Sequence, residues 1–101
     1  MNTLNSAQRK YLRSQAHHLD PVVIVGKKGV SDDLIDSVDT AIAARELIKI
    51  RFNEFKDEKK TITEEIAERT NSEVAGIIGH VAILYREHED PEKRQYDIPL
   101  L

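Results

Sequence analysis

At 101 residues the chain is long enough for one domain with one modest core and too short for several. It holds no cysteine, which excludes disulfides and thiol chemistry, and no apolar run approaching the roughly 20 residues of a membrane span. The formal net charge of −3 argues against a generic nucleic-acid binder, but the charge is unevenly placed. Residues 1–30 carry five basic side chains against Asp20 alone, a local charge of +4, and the remainder carries −7. A local basic face steers a polyanion, while an acidic remainder discourages promiscuous binding. The first residues lack the basic-then-apolar pattern of a secretory signal, so a cytoplasmic protein is the expectation.

Leu4, Ala7, Tyr11, Leu12, Ala16 and Leu19 recur at helical spacing, with Asn5 and Gln8 placed as a capping box and Pro21 as the stop. Val22 to Val25 is β-branched apart from nothing and predicts a strand buried on both faces. Ser31 is a good N-cap for a second helix carrying Leu34, Ile35, Val38, Ala41 and Ile42, and Asp32 and Asp33 suit its first turn. Leu47 to Phe52 alternates, with Ile48, Ile50 and Phe52 on one side and Lys49 and Arg51 on the other. A third helix is expected from Asp57, with Asn71 as its left-handed stop. Glu73 to Ile78 and Val81 to Tyr85 read as a hairpin turned at Gly79-His80. These elements predict an α/β fold: a two-layer sandwich, N-terminal helix then β-α-β-α-β-β, with a mixed four-stranded sheet. The domain is expected over 1–86. A charged tail over 87–101 is expected to be mobile, with Tyr96, Ile98, Leu100 and Leu101 able to dock back loosely.

Between the first strand and the second helix stands Gly26-Lys27-Lys28-Gly29. Glycine admits positive φ and close backbone approach, and a helix N-terminus attracts anions, so two ammonium groups on this turn suit a phosphate clamp. Alone, the motif equally fits a plain turn with solvated lysines. Arg9, Arg13 and His17, each four apart, form a ridge on the first helix with Lys10 beside it, extending the basic surface. Tyr85 and Arg86 either stack on a base or sugar or simply finish a strand. His17 and His18 point about 100° apart and do not readily chelate one metal. No metal-ligand cluster, cofactor fingerprint or catalytic set is evident, so neither metal, cofactor nor enzymatic activity is expected.

In register along the chain, Leu4, Gln8-Arg9, Leu12, Ala16-His17-His18-Leu19, Pro21-Val22-Val23, the Gly26–Gly29 loop, Glu46-Leu47-Ile48-Lys49, Ile78-Gly79 and Leu84-Tyr85-Arg86 resemble the bacterial YhbY proteins, the stand-alone form of the CRM RNA-binding domain. The resemblance spans residues 4–86. It implies a fold similar to the C-terminal domain of translation initiation factor three. It also implies RNA contact through Gly26, Lys27, Lys28 and Gly29, and a role in ribosome assembly on precursor large-subunit ribosomal RNA, with ribosomal proteins as further partners. A monomer is expected. Asp20 and His80 stand where the family often carries Lys. Asp32 and Asp33 either face the loop and repel phosphate or face away and complement the helix dipole. The competing reading is a protein-interaction adaptor on the same scaffold, favoured by the net acidic charge.

Overall fold

The structure, a computed structural model, describes residues 3–98. Leu100 and Leu101 lie outside the described residues. The element order is α1 (Ser6–Ala16), β1 (Val23–Val25), α2 (Asp32–Arg45), β2 (Leu47–Phe52), a 3-10 turn (Lys56–Glu58), α3 (Lys59–Arg69), β3 (Glu73–Ile78) and β4 (Val81–Tyr85), with a second 3-10 turn at Pro91–Lys93. The strands form one mixed sheet in the order β1-β2-β4-β3. β1 runs parallel to β2, whereas β4 is antiparallel to both β2 and β3.

The alternation of β2 organises the interior. Ile48, Ile50 and Phe52 face α2 and α3, where they meet Val38, Ile42 and Ile66. Full burial of side chains this size stabilises by about 1.5–3 kcal/mol each. The sheet with α2 and α3 is the expected two-layer sandwich. α1 lies on the opposite face as a partial third layer, its Leu12 and Ala16 packed with Leu47, Ala75, Ile83 and Tyr85. The capping box forms as read: the Gln8 amide donates to Asn5 Oδ1 at 2.8 Å, and the Asn5 amide to Gln8 Oε1 at 3.0 Å. The helix nevertheless ends at Ala16, well before Pro21, in a turn where the Leu19 amide donates to the Ala16 carbonyl.

β1 departs from its expectation. It is a three-residue edge strand buried on one side only: Val23 and Val25 are covered, while Ile24 is 53% exposed. α1 packs over β3 and the centre of the sheet and leaves the β1 side bare. Within β3 the register slips between Val74 and Gly76, a bulge that turns Ala75 and Gly76 both toward α1. Such a bulge leaves ladder groups free, and Arg13 uses one: its Nη1 donates to the Ala75 carbonyl at 2.9 Å. The Arg13 stem lies where a Cβ on Gly76 would stand, with Cδ 2.7 Å from that position. A side chain at position 76 would therefore have to displace the Arg13 stem.

The segment expected to be a mobile tail has defined partners over 87–98. Glu46, the residue closing α2, takes φ 64° and is buried. Its carboxylate accepts the His88 amide at 2.7 Å and also the Gln95 amide. Tyr96 then sets its ring edge-on to Tyr85, centroids 6.4 Å apart, and Tyr96 and Ile98 pack on the α1 side of the core. Hydrogen bonds to a charged acceptor contribute about 1.5–3 kcal/mol each, so Glu46→Ala is expected to cost about 2–4 kcal/mol. Urea unfolding monitored by circular dichroism measures the loss. Amide exchange should accelerate first at His88 and Gln95.

Candidate nucleic-acid interface

Parallel pairing puts the C-terminal ends of β1 and β2 side by side, and antiparallel pairing brings the β3–β4 hairpin to the same end. The Phe52 amide donates to the His80 carbonyl at 2.8 Å, and the Asn53 amide to the Val25 carbonyl at 3.1 Å. Three loops therefore converge at one edge of the molecule.

The Gly26–Gly29 loop is a tight turn, with the Gly29 amide donating to the Gly26 carbonyl at 3.0 Å. Lys27 and Lys28 occupy its tip and are exposed. Gly29 takes φ 63°, and a Cβ there would stand 3.4 Å from the Phe55 ring. Phe55, itself left-handed at φ 57°, thus seats the loop against the turn that follows β2. Gly26 has open space around its Cα and ordinary φ, so only one of the two glycines is demanded by the fold. Ser31 then caps α2, its Oγ accepting the Leu34 amide at 3.1 Å.

Sequence reasoning missed Lys56 and Lys59, which the turn after β2 brings to this end of the sheet together with Glu54, Asp57 and Glu58; Lys60 borders the α3–β3 side, beside Val74 and Ile77. Lys56 follows Phe55, and Lys59 reaches the hairpin, its Nζ donating to the Gly79 carbonyl and lying 3.5 Å from His80 Nδ1. A signal was present: basic residues in the first turn of a helix oppose its dipole and are unfavourable without another purpose. Asp32, left open between two orientations, is engaged by Arg69 of α3 at 3.2 Å.

The α1 candidates divide. Arg13 and His17 border the uncovered half of the sheet, where Lys49 Nζ donates to the His17 carbonyl at 3.2 Å. Lys10 is exposed on the helix. Arg9 folds back over the start of α1, donating to the Leu4 carbonyl at 2.6 Å and to Ser6 Oγ at 3.2 Å. Tyr85 and Arg86 are corrected. β4 runs away from the hairpin, so both stand at the far end of the sheet. Tyr85 is fully buried, and Arg86 is locked to Asp39 Oδ1 and the Thr70 carbonyl, each at 2.7 Å. Tyr85 presents no surface to a base, and the Arg86 guanidinium is committed to these two oxygens. Among the described residues no group of three or more His, Cys, Asp or Glu is arranged to hold a metal ion.

The fold and this lysine-rich edge define a small α/β domain built around a glycine-flanked dilysine turn. The chain belongs to the CRS1/YhbY (CRM) domain family, whose model matches residues 4–86. It is 36% identical to the "Probable RNA-binding protein YqeI" of Bacillus subtilis, over 95% of this chain and 99% of that one. It is 33% identical to an "RNA-binding protein" of Haemophilus influenzae, over 89% and 92% of the two chains. The solution structure of the Staphylococcus aureus protein SAV1595 superposes with a TM-score of 0.80 at 36% identity, covering 96% of this chain and all of that one.

Two measurements check these assignments. Gly29→Ala, strained at positive φ, should lose about 1 kcal/mol or more of stability in urea unfolding, and Gly26→Ala should change it little. The Tyr85 phenol is pushed well above its ordinary range, first by burial and then by the Glu46 and Glu87 carboxylates. It stays protonated in the fold while the unfolded chain ionises near roughly pH 10, so stability holds below that pH and falls as pH rises past it. The Tyr85 hydroxyl has no hydrogen-bond partner among the described residues, so Tyr85→Phe should shift neutral-pH stability by no more than about 1 kcal/mol. The same change should flatten the alkaline loss.

Proposed function

We propose that this chain is a non-enzymatic RNA-binding protein that holds the phosphate backbone at the Gly26–Gly29 loop. The reading is carried by one observation: the dilysine turn is exposed at its tip, and the Phe55 ring seats it against the turn after β2, which carries Lys56 to the same end of the sheet. Exposed ammonium groups on a turn so held suit a ligand with regularly spaced negative charges. The Lys27 and Lys28 amides make no hydrogen bond among the described residues and can serve the same phosphates. Arg13, His17 and Lys10 on α1 extend the surface. Relatives named as RNA-binding proteins support RNA as that polyanion.

Phosphate contacts position a protein without reading sequence, so selectivity comes from RNA shape and from neighbouring proteins. On this reading the protein acts in the cytoplasm during ribosome assembly, on precursors of large-subunit ribosomal RNA. Crosslinking in lysate followed by sequencing of the bound RNA tests the target. Enrichment of precursor large-subunit RNA is expected, and enrichment of unrelated transcripts would refute the assembly role.

Binding to a fluorescein-labelled single-stranded RNA tests the contact itself. With about 3 to 5 phosphates engaged, log affinity should fall against log salt with a slope of roughly −2 to −4. The double change Lys27→Ala with Lys28→Ala should weaken binding at least about tenfold and shallow that slope, with circular dichroism unchanged. Absent or salt-independent binding would favour a protein-interaction adaptor instead.

A further inference from the structure

We infer that the open half of the sheet beside α1 is a nucleobase subsite, taking one unstacked base of a single-stranded RNA whose phosphates the loop holds. This inference rests on the RNA-binding reading above. The strand registers place residues in cross-strand rows on this face. Ile24 pairs with Arg51, Arg51 with Val81, and Val81 with Ile78. One layer nearer α1, Lys49 pairs with Ile83, and Ile83 with Gly76. Each row sets a cation among aliphatic side chains.

The two outermost aliphatics are not spent on the core, whereas Ile83, one layer nearer α1, belongs to it. Ile24 is 53% exposed and Ile78 60% exposed, and both stand in the outer row. Between that row and α1 lies a cavity of about 270 Å³. This is close to the lower bound of roughly 300 Å³ for small-molecule sites, a size suited to a flat ring rather than a folded partner. Its floor is Ile78, Val81 and Ile83, and its rim is Arg13, His17, Lys49 and Arg51, with no acidic side chain in the lining.

The rim is partly ordered in advance. Arg13 is fixed by the Ala75 carbonyl and Lys49 by the His17 carbonyl. The Arg51 side chain is exposed and makes no hydrogen bond or ion pair among the described residues. A guanidinium plane over an aliphatic floor is a stacking surface for a base, and the neighbouring ammonium group suits the attached phosphate. A peptide fits this position less well. Extended peptides add to a sheet through the free backbone of an edge, whereas β2 and β4 are paired on both sides.

The test is an NMR titration of the 15N-labelled protein with the octanucleotide r(A)8, and separately with inorganic polyphosphate. r(A)8 should shift the amides of Lys49, Arg51, Ile78 and Val81 together with those of the loop, and polyphosphate should shift the loop alone. The exposed pair Arg51→Ser with Ile78→Ala should weaken r(A)8 binding about tenfold and leave polyphosphate binding unchanged. Loop shifts with a silent cleft would overturn the subsite while the RNA reading stands. No response anywhere to r(A)8 would defeat both. Equal cleft shifts with polyphosphate would make it an anion site, and equal shifts with a peptide of eight glutamates would make it a peptide surface; either overturns the proposal.

Discussion

The two-sided pairing of β2 is the constraint on which the rest depends. Parallel to β1 and antiparallel to β4, it brings the end of β1, its own end and the start of β4 to one edge. That edge collects lysines from positions far apart in the chain. The same strand divides the two cores. Its isoleucines and Phe52 anchor α2 and α3, while Leu47 meets α1 and leaves Lys49 and Arg51 facing outward. Reversing the alternation would bury two cations under helices and expose the main core, a cost far beyond the few kcal/mol by which domains are stable.

Much of this architecture was legible from periodicity. The alternation of Leu47–Phe52, the Asn5–Gln8 box, the Ser31 cap and the Gly79 turn are local features whose physics depends on few neighbours. What failed was long-range. Four β-branched residues in a row read as a strand covered on both sides, but only its place at the sheet edge decides that Ile24 is bare. Tyr85 and Arg86 looked available because an aromatic beside a cation often serves RNA. The direction of β4 removes them from the lysine edge. Lys56 and Lys59 were overlooked because their place at the same end of the sheet as Lys27 and Lys28 exists only once the loops after β1 and β2 are stapled together.

The two glycines of the dilysine loop illustrate the difference between shape and contact. Gly29 is held by φ and by the Phe55 ring, a requirement of the fold alone. Gly26 meets nothing, so the structure gives no internal reason for its lack of a side chain. On the proposed reading, that open space lets a phosphate come close to the backbone.

The bond from Arg13 to the Ala75 carbonyl joins residues 62 positions apart. α1 emerges from the ribosome before β3 and β4, yet most of its apolar partners lie in or beyond those strands. The Glu46 carboxylate likewise waits for amides 42 and 49 positions downstream. Both cores wait for β4: Ala82 and Leu84 complete the α2–α3 core, and Ile83 and Tyr85 the α1 core. A short helix of this length is marginal alone in water. The basic helix is therefore made long before most of the residues that turn it into a border of the sheet.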